Sequence, residues 1–306
     1  MVAIENLVLV FVAGLITALA TGLGAIPFFF VEDFSDRWNV GLWGTASGIM
    51  VTVSVFGLAD EGLAYASGGI PTMLILGLLA GVALVEIGDV VLNWVDIDDG
   101  TESTHDHQHE HDGDVPETED IQTDGAGHGH DDHAVEAKAI AEGNPKTLLL
   151  ILGILTIHSF PEGVAVGVSF AELGFDGGLA VLGFSIPLLA VFMTVAISIH
   201  NIPEGTAIAI PMRAMGLSKW RMVGAAIFSS LPQPIGAVIA YGFVSWARDF
   251  LPFGFGFAAG AMVYLVATEF IPEALATGEE LPGKGYRELV AGFGIGALAM
   301  LPLMVI

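Results

Sequence analysis

The sequence contains no cysteine and few basic residues. Without cysteine, the chain has neither a disulfide framework nor a thiolate metal site. Any bound metal must therefore be met by histidine, carboxylate, amide or thioether groups, which suit borderline and hard divalent ions. Lysine and arginine number 9 against 34 aspartate and glutamate residues, which gives a formal net charge of −25. With this excess of negative charge we expect no nucleic-acid partner.

Charged residues are also scarce overall, at 14% of the chain, whereas ordinary soluble domains carry about a quarter. The stretches Leu7–Phe30, Val40–Leu58, Met222–Ala247 and Leu289–Ile306 contain none. Each is close in length to the ~20 helical residues that cross a bilayer core. A soluble protein could bury one such helix but not a series of them. The sequence therefore predicts an all-α integral membrane protein embedded in the lipid bilayer.

Hydropathy along the chain predicts eight transmembrane helices. The predicted spans are Leu7–Phe30, Val40–Leu58, Ile70–Trp94, Thr147–Phe170, Ser185–Met212, Met222–Ala247, Phe253–Ile271 and Leu289–Ile306. Residues 1–94 would hold helices one to three and residues 147–306 helices four to eight. The intervening segment, 95–146, is rich in acidic residues and histidine and has few large apolar side chains. It cannot bury enough apolar surface to offset its ordering entropy, so we expect a disordered loop.

The basic residues predict the orientation of these spans in the cell membrane. Eight of the nine fall on alternate loops, and they are Arg37, Lys138, Lys146, Arg213, Lys219, Arg221, Lys284 and Arg287. Only Arg248 falls on the other side. Since cytoplasmic loops carry an excess of lysine and arginine, we expect the long acidic loop in the cytoplasm and both termini outside.

One motif is written twice in predicted helices, as His158-Ser-Phe-Pro-Glu-Gly and His200-Asn-Ile-Pro-Glu-Gly. Histidine and glutamate at i and i+4 share one face of a helix. The proline removes a backbone hydrogen bond, and the glycine lets another helix approach closely. Packed face to face, the two helices would aim His158, Glu162, His200 and Glu204 at one point, a ligand set that zinc accepts. The alternative is that each pair is only a polar contact between helices, but its repetition in the bilayer favours a site.

Further polar residues lie in the predicted spans. Glu269 and Glu273 flank a proline in helix seven. They either lie on the ion pathway or occupy an interfacial position near the helix end. Helix six carries Gln233 between two prolines. Asp89, near the end of helix three, is either an interfacial acid or part of a metal exit route. Met50 in helix two is a candidate thioether ligand, although methionine in an apolar helix usually serves packing.

The remaining histidines lie in the long loop, in two tracts that alternate with acidic residues. These histidines are His105, His107, His109, His111, His128, His130 and His133. Such tracts have the composition of weak metal-binding segments. A solvated acidic linker without a specific role is an equally good interpretation.

At these residues the sequence resembles the ZIP family of metal transporters, in particular its prokaryotic zinc-transporter and GufA-like branch. The resemblance rests on His158–Gly163 and His200–Gly205, supported by Ala20–Pro27 in helix one. It implies two inverted three-helix repeats with helices four and five between them, a 3+2+3 arrangement. It also implies transport toward the cytoplasm by movement of one helix bundle against the other, and a metal site at His158, Glu162, His200, Asn201 and Glu204, with Met50 as a further contact.

Two positions depart from the pattern that the resemblance implies. Ser159 stands where asparagine commonly follows the first motif histidine, and Gln233 stands where some members carry glutamate. Both changes fall on the second metal position of a two-metal centre. We therefore expect one well-formed site, with the second weak or absent.

The resulting prediction is a transporter of divalent transition-metal ions, with zinc foremost and cadmium, iron and manganese as further cargo. We expect no enzymatic activity and no cofactor besides the transported ion, with a homodimer as one option for the assembly. An intramembrane metal-dependent hydrolase is the rival, but such enzymes often place glutamate directly after a histidine, where this chain has Ser159 and Asn201. A membrane metal sensor that acts through its loop is the second alternative.

Overall fold

The computed structural model describes residues 3–31, 35–65, 70–94, 158–174, 178–181 and 183–304. Helices dominate this part of the chain, and five of them are long and apolar enough to cross a membrane. This is the architecture of a helical, multi-pass membrane protein. The predicted acidic loop, residues 95–146 with its seven histidines, lies outside the described residues.

The helices are numbered here in chain order. They are α1 (Ile4–Leu23), α2 (Asp36–Ala64), α3 (Thr72–Trp94), α4 (158–169, as far as it is described), α5 (Leu188–Ala214), α6 (Lys219–Trp246), α7 (Arg248–Thr277) and α8 (Tyr286–Met300). The first ends well before the predicted Phe30, because the chain turns at Gly24 into a short 3-10 helix, Ile26–Phe29, with proline near its start.

A small β-hairpin interrupts the predicted all-α architecture. Strands β1 (Leu179–Val181) and β2 (Phe184–Ile186) pair antiparallel, with Gly183 in a left-handed conformation at the turn between them. The predicted fifth span, which began at Ser185, was wrong at this end. The helix begins only after Pro187. Proline has no backbone N–H, so it can neither extend the strand pairing nor occupy the interior of a helix without loss of a hydrogen bond.

Three of the long apolar helices depart from regular α-geometry along their length. Helix α2 contains a π-helical segment at Val53–Ala59, and α7 contains another at Val266–Phe270. Helix α6 is broken between its parts Lys219–Ser229 and Pro232–Trp246. Such irregularities are frequent at functional sites, since they turn side chains and carbonyls away from the regular helical pattern. Here they place Glu269 within a π-helical turn and Gln233 in the first turn after a break.

Helices α2 and α8 pack through glycines on both partners. A Cβ on Gly44 or Gly48 of α2 would overlap the backbone of α8, and a Cβ on Gly292 or Gly296 of α8 would overlap the backbone of α2. Helices α3 and α7 make the same reciprocal contact, through Gly77, Gly81, Gly256 and Gly260. Small residues of this kind let membrane helices approach until their backbones touch. We call α2, α3, α7 and α8 the flanking group.

Helices α1, α4, α5 and α6 are joined by a second set of such contacts, and we call them the central group. A Cβ on Gly205 of α5 would overlap the carbonyl of Thr21 in α1, and one on Gly163 of α4 would overlap the carbonyl of Gln233 in α6. Among the described helical glycines, backbone contacts of this kind stay within one group or the other. Between the groups, Gly254 of α7 meets only the side chains of Val168 and Val244. The close backbone packing at the described glycines is therefore found within each group.

Candidate metal centre

Three ionisable side chains meet in the interior of the central group. One ligand atom from each of Glu162, His200 and Glu204 lies within 4.8 Å of the others. All three residues are buried, with exposed fractions of 3%, 1% and 8% respectively. Burying two carboxylates beside one imidazole in the interior of a membrane protein is costly unless a cation or hydrogen bonds compensate for the lost hydration.

The local sequence explains how these residues come together. Glu162 lies on α4, and His200 and Glu204 lie one turn apart on α5. The glycine after each motif glutamate, Gly163 or Gly205, touches the backbone of a neighbouring helix, which confirms the predicted close approach. Helix α5 continues through Pro203 without ending, so the motif remains helical throughout.

Hydrogen bonds tie the centre to α1 and α6. The ring atom Nε2 of His200 lies 3.0 Å from Oε1 of Glu162, and the other carboxylate oxygen of Glu162 accepts a short hydrogen bond from Nε2 of Gln233. The side-chain amide of Asn201 donates to Oε1 of Gln233 at 3.1 Å and to the carbonyl of Thr17 at 2.9 Å. The chain of contacts thus runs from His200 through Glu162, Gln233 and Asn201 to α1.

Two buried polar atoms of this network have no hydrogen-bond partner among the described residues. They are Nδ1 of His200 and Oδ1 of Asn201, and both residues are almost fully buried. Both atoms can act as metal ligands, and both are borderline or hard donors like the carboxylates beside them. Imidazole nitrogen, amide oxygen and the carboxylates of Glu162 and Glu204 are donor types that suit a divalent cation.

The two motif histidines occupy different environments. His158 is absent from the group of three and instead places Nε2 at 3.0 Å from Oε1 of Glu269 on α7. Their side chains are 19% and 24% exposed, whereas His200 and Glu162 are 0% and 4% exposed by the same measure. Of the four residues expected at one point, Glu162, His200 and Glu204 therefore lie together. The fourth, His158, pairs with Glu269 of the flanking group.

The other predicted site residues are distributed as follows. Ser159 is buried and donates to the carbonyl of Ser229 at 3.2 Å, so its hydroxyl is used between α4 and α6. Met50 is fully buried in the apolar core at α2, and Glu273 is buried on α7. Asp89 lies on α3, and its side chain is outside the described part. The seven loop histidines are outside it as well.

Sequence reasoning did not foresee the contribution of α1. Its Thr17 carbonyl accepts from Asn201, and its Thr21 hydroxyl lies 2.7 Å from that of Ser230 at the break in α6. The two threonines stand four residues apart and are the polar side chains of the stretch Leu7–Leu23. This i, i+4 spacing of polar groups is a signal that a polar neighbour faces α1, although it does not say which one.

Comparison with known proteins places this geometry in context. A family model described as ZIP zinc transporter matches residues 92–303, more than half of the chain. The zinc transporter GufA of Myxococcus xanthus is 40% identical over 132 residues, which are 43% of this chain and 47% of that protein. The zinc transporter ZupT of Clostridium perfringens is 27% identical over 305 residues, which are 97% of this chain and 96% of that protein.

A plant relative that carries a zinc-transporter name, from Arabidopsis thaliana, is 34% identical over 258 residues. The aligned residues are 84% of this chain but only 33% of the plant protein. This chain thus spans about a third of the plant relative and about half of GufA.

Proposed function

Because the chain belongs to the ZIP zinc transporter family, we propose that it moves divalent transition-metal ions across the membrane, with zinc as the foremost cargo. The observation that carries the proposal is the buried group of Glu162, His200 and Glu204 on helices α4 and α5. The proposed direction is toward the cytoplasm. Cadmium, iron and manganese are proposed as further cargo, because a site of this donor type accepts several divalent metals.

The charges of the centre match this cargo. Two ionised glutamates offset the two positive charges of the ion, so the pair can enter the low-dielectric interior together. A neutral His200 and the amide oxygen of Asn201 replace part of the ion's hydration shell. No reaction of the ion is needed, and we propose neither an enzymatic activity nor a cofactor. The ion is the substrate.

The packing supports an inverted 3+2+3 arrangement of eight transmembrane helices. In this arrangement α1 corresponds to α6, α2 to α7 and α3 to α8. The pair α3–α7 then corresponds to the pair α8–α2, and both pairs pack through glycines. The π-helical segment of α2 likewise acquires a counterpart in that of α7. Helices α4 and α5 then lie between the repeats, where they carry the centre. In this scheme residues 1–94 and 147–306 form the membrane part and residues 95–146 a separate loop.

Contacts near the helix ends support the proposed orientation. Arg37 at the start of α2 lies 3.8 Å from Glu288 at the start of α8, and Lys219 at the start of α6 donates to the carbonyl of Phe29 after α1. These basic residues belong to the set assigned to the cytoplasmic side. We propose outer termini, a cytoplasmic loop and a surrounding lipid bilayer. A homodimer is the assembly to test.

A flux measurement tests the proposal directly. The full chain and a variant lacking residues 96–142 are reconstituted into liposomes, and zinc entry is followed with an enclosed zinc-sensitive dye. We expect saturable flux in both proteins, because the described centre lies wholly outside the deleted loop. Protein-free liposomes and cadmium competition are the controls. Zinc binding without flux in the full chain would contradict transport. If the variant without the loop binds no zinc, the alternative of a metal sensor that acts through its loop would be favoured.

Alternating access requires the central group to move against the flanking group. Hydrogen bonds join them near the predicted outer surface: Arg248 of α7 donates to the carbonyl of Ala171 after α4 at 3.4 Å, and Tyr65 after α2 donates to Glu172 after α4 at 2.8 Å. Burial, together with this hydrogen bond, raises the pKa of Tyr65. Its hydroxyl therefore stays protonated at neutral pH and through the range in which an ordinary tyrosine ionises.

A covalent link across this contact should stop transport. The chain has no cysteine, so a Tyr65→Cys/Glu172→Cys variant can be joined specifically by a bifunctional methanethiosulfonate reagent. We expect the reagent to abolish flux and dithiothreitol to restore it. Asn6 of α1 and Tyr241 of α6, hydrogen-bonded at 3.0 Å within the central group, supply the matched control pair. Full flux through a protein shown to be linked at Tyr65 and Glu172 would contradict relative movement of the groups.

A further inference from the structure

Gln233 is buried beside the metal centre and makes two hydrogen bonds there. We propose that it is a positioning residue: it fixes the amide of Asn201 so that the oxygen, and not the NH2 group, is presented to the cation. The inference rests on the proposed function, since it assigns a role in the binding of the transported ion. It goes beyond the expectation that Gln233 leaves a second metal position weak or absent.

The orientation of both amides follows from the two ends of the network. At one end, the carboxylate of Glu162 can only accept a hydrogen bond when it is ionised, so Gln233 must turn its NH2 group toward it. At the other end, the carbonyl of Thr17 can only accept, so Asn201 must turn its NH2 group toward α1. The carbonyl of Gln233 then meets the same NH2 group of Asn201 at 3.1 Å. Flipping either amide would set two acceptors against each other.

In this arrangement both N–H bonds of the Asn201 side chain donate hydrogen bonds. Its Oδ1 atom accepts none from the described residues. That atom is buried and has no hydrogen-bond partner in the described part of the chain. An unpaired buried carbonyl oxygen carries the full penalty of its lost hydration. A divalent cation bound at the adjacent His200 would remove that penalty, since amide oxygens are metal ligands.

Gln233 is itself held in place by the backbone around it. It lies between Pro232 and Pro234 in the first turn after the break in α6. Its carbonyl lies against Gly163, the glycine of the first motif, where no side chain would fit. The break, the prolines and the glycine thus fix the residue that orients Asn201.

The role of Gln233 can be separated from general packing by a double-mutant cycle. Gln233→Met keeps the length of the side chain but removes both hydrogen bonds. Cobalt binding to the purified full-length protein is measured by its visible absorption, which reports ligand number and geometry as well as affinity. We expect Gln233→Met to weaken cobalt binding roughly 10- to 100-fold, as for other residues that orient metal ligands, and to change the absorption spectrum.

The cycle is completed with Asn201→Ala. If Gln233 acts through Asn201, Asn201→Ala should weaken binding by a similar roughly 10- to 100-fold in the wild-type background but by less than about 3-fold in the Gln233→Met background. Gln233→Glu keeps an oxygen that accepts from Asn201, so the full effect of Asn201→Ala should return there. Ser230→Ala removes a buried hydrogen bond at the same break and should leave affinity and spectrum unchanged.

Each outcome decides the inference. Unchanged affinity and spectrum in Gln233→Met, or effects that simply multiply in the double variant, would overturn it. If Gln233→Met does not fold, Gln233→Leu, which also removes both hydrogen bonds, takes its place in the cycle, and the same two outcomes overturn the inference. Failure of the wild-type protein to bind or carry any divalent ion would instead contradict the proposed function. The two failures are therefore distinct.

Discussion

Replacement of His200 by alanine should reduce saturable zinc flux into proteoliposomes by roughly 100-fold or more, the upper end of losses seen on disturbing a metal site. The imidazole is almost fully buried, and its Nε2 atom lies 3.0 Å from Glu162. On the proposed function its removal takes a ligand from the ion, and it leaves the Glu162 carboxylate without one of its two partners. A buried charge deprived of its partner destabilises the site further.

His158 supplies the matched control, because it occupies the same place in the same motif. Its contact is with Glu269, and both side chains are partly exposed, so water can replace the lost ring. We expect His158→Ala to reduce the flux by about 10-fold at most, the lower end of the same range. A loss at His158 equal to that at His200 would contradict the hierarchy. Full flux in the double variant would show that the repeated motif is structural and that ions cross elsewhere.

Gly296→Ala should lower the free energy of unfolding by about 2 kcal/mol, the middle of the range for overpacked sites. Its Cβ would overlap the carbonyl of Thr45 in α2. Because the Cβ is fixed on the α8 backbone and the carbonyl belongs to the α2 backbone, neither atom can turn away as the end of a long side chain could. The helices must separate, and separation forfeits the close packing that drives helix association in lipid. Unfolding by sodium dodecyl sulfate in mixed micelles measures the change.

Gly294, two positions earlier on the same helix, has nothing within 4 Å of the place where a Cβ would stand. Gly294→Ala should therefore leave the protein as stable as the wild type, or more stable by up to about 1 kcal/mol from the better helix propensity of alanine. Equal stability of the two variants would mean that α2 and α8 do not touch as described. The reciprocal variant Gly48→Ala should reproduce the loss seen at Gly296.

The sequence predicts the parts of this fold that depend on local patterns. Charge-free stretches of bilayer length predict membrane helices, and the glycine of each motif predicts close helix approach, as Gly163 and Gly205 confirm. The β-hairpin before α5 and the break in α6 escape such reasoning. They depend on how Pro187 and Pro232 are used in context, and proline ends some helices while α5 passes through Pro203.

The candidate site shows a sharper limit. The two motifs are alike in sequence, so spacing alone gives His158 and His200 the same role. Their difference comes from neighbouring helices: α7 brings Glu269 to one histidine, and α4 brings Glu162 to the other. The π-helical turn that carries Glu269 has no signature in the residues around it. Which helices are neighbours depends on tertiary packing, and the pattern of a single sequence does not predict it.

The glycine contacts of the flanking group have a consequence for the conditions that the protein tolerates. They join α2 to α8 and α3 to α7 by dispersion forces between uncharged backbones. Dissolved ions do not screen such forces, whereas the many acidic side chains of this chain repel one another to an extent that ionic strength controls. The glycine contacts of α2 with α8 and of α3 with α7 should therefore depend less on ionic strength than the Arg37–Glu288 ion pair beside them.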